Sequence, residues 1–132
     1  EAFKGIDTLH KLYAVLRKSW SFSTAYKSCQ SEWVSEDPSY GQCAITATLV
    51  YDMFGGSIHR IRVEGGGTHY FNKITGQYVD LTREQFDLYN IEVAYEPNET
   101  MQREYCCKNP DTNARYRQLQ RNIIACLKNN ED

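Results

Sequence analysis

The chain has 132 residues, of which 41% are hydrophobic, 24% charged and 13% aromatic, with a formal net charge of −2. One domain of this length buries roughly two-thirds of its unfolded surface, enough to hold a core without covalent staples. No apolar run reaches the ~20 residues of a membrane span; the aromatic content argues against disorder, and the slight acidic excess against a general nucleic-acid binder.

In chain order, Leu9, Leu12, Tyr13, Leu16 and Trp20 recur at helical spacing, which predicts a helix from about Ile6 to Ser19 with Asp7 as its N-cap. From Ser21 to Tyr40 the periodicity is lost, and a stretch of that kind inside a domain is either functional or hides elements of its own. Cys43 to Phe54 is apolar on nearly every side, as a buried central helix is, and Gly55-Gly56 provides its stop. His59, Ile61 and Val63 then alternate with Arg60 and Arg62, giving a strand with one apolar and one basic face.

Gly65-Gly66-Gly67 separates this strand from a second, Thr68 to Ile74, and Thr75-Gly76 turns into a third, Gln77 to Leu81. Thr82-Arg83-Glu84-Gln85 has the form of a capping box opening a short helix through Phe86 and Leu88. Ile91 to Tyr95 reads as a fourth strand. After Pro110, Asp111 or Thr112 is the expected cap of a last helix bearing Tyr116, Leu119, Ile123, Cys126 and Leu127 on one side. Its Arg115, Arg117 and Arg121 read as a solvated face. Helices first, then antiparallel strands, then a helix make a single α+β domain over residues 1–132.

Five cysteines and three histidines are the chemically interesting count. An odd number cannot pair completely, so the thiols read as mostly reduced, which points to a cytoplasmic home or, alternatively, to a secreted effector acting in a host. Cys43 opens the central helix, where free backbone N–H groups and the positive end of the dipole favour a thiolate and can hold an oxyanion. A thiolate nucleophile needs a base and a group that orients the base. His69 opens the second strand, and Asp80 ends the third.

If the hairpin turns through Thr75-Gly76 alone, Ile74 pairs with Gln77, and Asp80 becomes a diagonal neighbour of His69 on the same face. A three-residue loop with a bulge at Gly76 would shift the register by one and turn Asp80 away. The sequence leaves both open. His10 reads as solvent-facing and His59 as a packed strand residue. Cys29, Cys106, Cys107 and Cys126 lack the close ligand pairs of a zinc site, so no metal or other cofactor is expected. The glycine run lies between two strands, which excludes a phosphate cradle and reads as a mobile loop beside His69.

The residues Pro38-Ser39-Tyr40-Gly41-Gln42-Cys43-Ala44-Ile45-Thr46-Ala47, Phe54-Gly55-Gly56, Thr68-His69-Tyr70-Phe71-Asn72 and Val79-Asp80-Leu81-Thr82-Arg83-Glu84-Gln85-Phe86 resemble the YunG-like family of small bacterial proteins. The resemblance runs from about Ser19 to Leu119. It implies a domain similar to papain-like and transglutaminase-like cysteine enzymes, in which Cys, His and Asp follow in that order. Carried over by position, Cys43 would be nucleophile, His69 base and Asp80 orienter. Tyr40 and Phe71 stand where tryptophan is expected, a departure that bears on pocket shape.

These readings lead to a cysteine-dependent acyl-transfer enzyme, an amide hydrolase, deamidase or transglutaminase-like protein acting on a peptide or protein amide. Gln42 or the Cys43 N–H would hold the oxyanion, and Trp20, Trp33 and Tyr40 would line the cleft. A monomer without nucleic-acid or membrane partners is expected. The alternatives are a non-catalytic binding domain on the same fold and a metal-stabilised module built on the remaining cysteines.

Overall fold

The computed structural model describes residues 3, 5–63 and 67–130; Gly65 and Gly66 of the glycine loop lie outside the described residues. Thr8, not Asp7, caps the first helix, α1 (Leu9–Ser19): its hydroxyl accepts from the Lys11 N–H at 3.1 Å. Asp7 instead pairs with the Lys11 ammonium. The two neighbours compete for one helix start, and Thr8 wins by holding the extended backbone of a cap residue.

The stretch without periodicity contains two 3-10 turns, Phe22–Thr24 and Lys27–Glu32, and is held by long-range polar ties. Arg115 Nη1 donates to Thr24 O at 3.1 Å, Tyr26 N to Gly41 O at 2.8 Å, and Ser39 Oγ to Thr82 O at 3.3 Å. Arg115 is therefore buried and structural, not part of a solvated face; its guanidinium also bonds Asp111 and Thr112.

Helix α2 (Cys43–Phe54) buries Ile45, Thr46, Ala47, Thr48, Leu49 and Val50, which occupy successive sides of the helix as the sequence predicts. Gly55 and Gly56 end it with positive φ. At Gly56 a Cβ would meet the Lys73 carbonyl oxygen at 2.3 Å, so the chain leaving α2 passes against the hairpin backbone where only glycine fits.

Strands β1 (Ser57–Arg62), β2 (Thr68–Ile74), β3 (Gln77–Val79) and β4 (Glu99–Met101) form an antiparallel sheet in the order β3-β2-β1-β4. The β2–β3 turn uses two residues: Ile74 pairs with Gln77, and both Thr75 (φ 48°) and Gly76 (φ 83°) are left-handed. That backbone matches the twist of a hairpin and closes the register that the sequence leaves open. Ile91 to Tyr95 is not a strand. Its Tyr95 packs on the sheet face against Phe71 and Tyr78, and the edge beside β1 is taken by β4. Strand propensity yields here to aromatic packing.

Helix α3 (Glu84–Asp87) starts without the expected capping box. The Thr82 hydroxyl reaches back to Asp80, and the Gln85 amide donates to Thr82 O at 2.9 Å. A short helix, α4 (Arg103–Cys107), precedes α5 (Pro110–Asn130). Asn109, not Asp111 or Thr112, caps α5: its side chain accepts from Asp111 N at 2.8 Å, leaving Pro110 at the first helical position, which needs no N–H. No helix among the described residues is long and apolar enough to cross a membrane.

The main core joins α1, α2 and α5 through Leu12, Leu16, Ile45, Leu49, Leu119 and Ile123. On its other side α2 packs against the sheet, where Asn72 Nδ2 donates to Ala47 O at 2.9 Å and Ala47, Ile58 and Cys106 form a second cluster. The molecule is an α+β domain in which the Cys43 helix lies between flanking helices and a small antiparallel sheet.

Candidate active site

Three consecutive residues fix the start of α2. Gly41 (φ 75°) has no room for a side chain, because a Cβ would meet Cys29 Cβ at 2.9 Å and Tyr26 N at 3.2 Å. Gln42 is fully buried, and both ends of its amide are occupied: Oε1 accepts from the Thr24 hydroxyl at 2.8 Å, and Nε2 donates to Ser21 O at 3.1 Å. The Gln42 side chain thus anchors the 3-10 loop and does not line the cleft beside Cys43. Cys43 follows as the first residue of α2, where backbone N–H groups lack intrahelical partners. Gln85 Oε1 accepts from Gly41 N at 3.4 Å, tying α3 to the same turn.

Strand β3 ends at Val79, so the part of β2 that carries His69 has no strand on that side. Asp80 and Phe86 fill the space. His69 Nε2 lies 2.7 Å from Asp80 Oδ2, and both side chains are almost completely buried. A carboxylate only accepts, so Nε2 carries the proton and Nδ1 faces away from Asp80. Asp80 is itself held by the Tyr95 hydroxyl at 2.8 Å and by the Thr82 N–H and hydroxyl at 3.2 Å each. The Phe86 ring meets the imidazole edge-on with centroids 4.7 Å apart.

Nδ1 of His69 is buried and makes no hydrogen bond that meets normal geometry. Cys43 nevertheless acts on this ring. Burial is the largest influence on His69 and opposes its charge, but bonding to Asp80 and Cys43, and the charge of each, outweigh it and raise His69 from 6.5 to about 9. The stabilisation that follows is fully present below about 6.5 and is lost as pH rises through about 9. Its size is on the order of 3 kcal/mol. Urea unfolding of the protein should therefore become easier across that window, and a His69→Gln variant should lack this part of the pH dependence. Parallel pH profiles of the two proteins would contradict the assignment.

Cys43 and His69 open into a cleft of about 760 Å³. Tyr26, Tyr40, Tyr70, Phe86, Tyr89 and Tyr105 supply its aromatic lining. Of the three aromatic residues expected there from the sequence, only Tyr40 lines it. Trp20 lies in the core, its indole N–H donating to Thr46 Oγ1 at 3.0 Å, and Trp33 donates to Pro38 O at 3.1 Å. An indole that finds a buried acceptor is a core residue with a polar handle, and nothing in helical spacing marks which role a tryptophan takes.

His59 is buried, bonded to Ser57 Oγ at 2.7 Å and Asn98 Oδ1 at 2.9 Å, whereas His10 is exposed. Cys29, Cys43, Cys106 and Cys126 form no disulfide among the described residues, and the Cys107 side chain lies outside them. Among the described residues no cluster of three or more His, Cys, Asp or Glu could hold a metal ion. Thr82, Gln85, Phe86 and Tyr95 are supports that sequence reasoning does not single out. Asp-x-Thr does carry a local signal, since an aspartate commonly bonds the backbone two residues on. Tyr95 carries none.

Comparison with known proteins places these residues in a family. The chain is 42% identical over 72 residues to the Bacillus subtilis (strain 168) protein named "Uncharacterized protein YunG"; the alignment covers 54% of this chain and 57% of that protein. No solved structure matches. The model of the family described as "YunG protein" matches residues 8–128, an interval that contains Cys43, His69, Asp80 and the supports around them. The chain belongs to the YunG protein family.

Proposed function

We propose that this protein is a cysteine-dependent acyl-transfer enzyme in which Cys43 is the nucleophile, His69 the proton shuttle and Asp80 the residue that orients the imidazole. The observation that carries this reading is the buried His69–Asp80 contact of 2.7 Å, combined with a second ring nitrogen that makes no hydrogen bond among the described residues and a cleft lined by both His69 and Cys43. A neighbouring thiol, a properly oriented imidazole and an open cleft are the parts that nucleophilic catalysis needs. The order Cys, His, Asp, with the cysteine on a central helix and the histidine on an antiparallel sheet, is similar to papain-like and transglutaminase-like enzymes.

The chemistry follows from those roles. The thiol proton passes to His69 Nδ1 before attack, giving a thiolate beside an imidazolium in keeping with the raised His69 value; Sγ then bonds to the carbonyl carbon of an amide, and the carbonyl electrons move onto oxygen. The N–H groups at the start of α2, with Cys43 N first among them, are the nearest candidates to stabilise that oxyanion. Collapse breaks the C–N bond, His69 returns its proton to the leaving amine, and a thioester on Cys43 remains. Attack by water gives hydrolysis or deamidation, and attack by an amine gives transamidation. In either case His69 takes the nucleophile's proton and hands it to the departing Sγ. The free thiols fit action in a reducing compartment.

Exposure to p-nitrophenyl acetate tests the first half-reaction. The expected result is a burst of p-nitrophenol with one acetyl group located on Cys43 by mass spectrometry, and no burst from Cys43→Ala. Acetylation that is absent, or confined to lysines, would contradict the proposal.

A further inference from the structure

The chain carries more acidic than basic residues, 17 against 15, yet the cleft departs from that balance. Apart from His69, its charged lining residues are Arg60, Lys108 and Arg115, and no Asp or Glu is among the described residues that line it. The three cations are not equivalent. Arg115 is buried and committed to Asp111, Thr24 O and Thr112. Arg60 is partly committed: Nε donates to Glu99 at 2.7 Å and Nη1 to the Tyr105 hydroxyl at 3.3 Å. Lys108 is exposed and has no ion pair among the described residues.

Lys108 and Arg60 share one aromatic ring. The Lys108 ammonium lies 5.2 Å, and the Arg60 guanidinium carbon 5.3 Å, from the centroid of Tyr105. A tyrosine face attracts each cation, but the two cations repel one another, and only Arg60 has a carboxylate to offset its charge. An anion entering the cleft would relieve that repulsion. Tyr70 and Tyr105 both line the cleft, and a tyrosine hydroxyl can donate to an anion.

We infer that the cleft selects an acyl substrate bearing a carboxylate near the reacting carbonyl, with Lys108 as the specificity-determining residue and Arg60 holding Tyr105 in place beside it. The inference rests on the acyl-transfer reading for the word substrate; the anion preference of the cleft stands by itself. Lys108 touches neither Cys43 nor His69 in that reading, so its role is recognition and not chemistry.

Iodoacetate and iodoacetamide alkylate a thiol by the same displacement of iodide and differ in charge, so the ratio of their rates at Cys43 reads the field of the cleft. The full chain and its Lys108→Glu variant are compared at low ionic strength, with Lys128→Glu as a control of equal net charge. Lys128 is exposed and about 20 Å further along α5 than Arg115. Charge reversal at Lys108 is expected to lower the iodoacetate-to-iodoacetamide ratio about fivefold, with the difference shrinking in high salt, while Lys128→Glu leaves the ratio unchanged. An unchanged ratio in Lys108→Glu, or an equal fall in both variants, would overturn the inference.

Protection of Cys43 from iodoacetamide by N-acetylglutamate α-amide, which keeps its side-chain carboxylate, compared with N-acetyl-alanyl-alanine, separates a side-chain carboxylate from a terminal one. The two proposals also fail separately. A charge-dependent ratio without any acyl-Cys43 would remove the reaction and leave the anion site, whereas acylation with an unchanged ratio would do the reverse.

Discussion

Asp80→Ala is expected to lower folding stability by about 3–5 kcal/mol, the range for removing one partner of a buried ion pair. The loss has three sources. His69 Nε2 remains buried without an acceptor, the Tyr95 hydroxyl loses its 2.8 Å partner, and Thr82 loses two bonds that shape the start of α3. Tyr95 sharpens the point: burial and the Asp80 charge both hold its phenol well above the ordinary range, so it keeps its proton and donates it to the carboxylate while accepting from Arg83 Nη1 at 3.3 Å. Alkylation of Cys43 should slow roughly tenfold or more, because the imidazole loses the charge that favours its protonated form. Asp80→Asn should regain only part of the stability and little of the reactivity, because its single oxygen can serve Thr82 while its NH2 faces the Tyr95 hydroxyl and His69 Nε2. Urea denaturation with a timed alkylation assay reads both effects, and an Asp80→Ala protein that keeps wild-type reactivity would remove Asp80 from the site.

Phe71→Ala is expected to cost about 3–5 kcal/mol, as other large aromatic deletions in cores do. Its ring is 1% exposed and is the hub of an aromatic cluster on the sheet face. His59 and His69 stack on it at 5.8 and 6.3 Å, and Tyr78 and Tyr95 pack at 5.5 and 4.8 Å. Deleting the ring frees the imidazole on one side and Tyr95, the donor to Asp80, on another. Cys43 reactivity should therefore fall although Phe71 does not line the cleft. Phe71→Leu should lose less than half as much stability, since it refills most of the volume. Equal stability for Phe71→Ala and wild type in urea would contradict this picture of the support.

How much of this was legible in the sequence depended on the range of the interactions. Local patterns were: the apolar period of α1, the all-round apolar α2 with its glycine stop, and the two hairpin strands within a residue or two. The Cys43, His69 and Asp80 triplet could be named because a helix start and a hairpin are local objects. Register could not be decided, since Thr75 adopts a positive φ that a β-branched residue resists, and the packed hairpin imposes it. Arg115 read as solvated because its acceptor, Thr24 O, is 91 residues away in the chain. Gln42 and Trp20 were misplaced for the same reason: each is held by a loop or helix contact that no spacing rule anticipates.

The two segments Gly-Gln-Cys and Asp-x-Thr-x-x-Gln-Phe make physical sense only together. Gly41 allows the loop to approach, Gln42 anchors it, and Gln85 bonds the Gly41 N–H from the other side. Asp80, Thr82 and Phe86 position the imidazole. Gln42, Asp80, Thr82 and Gln85 thus serve the junction between α2 and β2, whereas Glu84 ties α3 to Tyr13 and Arg17 of α1.

The most direct measurement is the alkylation rate of each thiol at neutral pH, resolved by peptide mass spectrometry, in the protein and in His69→Ala. Cys43 is expected to react about tenfold or more faster than Cys29, Cys106 or Cys126, and to lose that advantage when His69 is replaced. A Cys43 that labels no faster than Cys126, or whose rate is unaffected by His69→Ala, would contradict the assignment of a His-activated thiol.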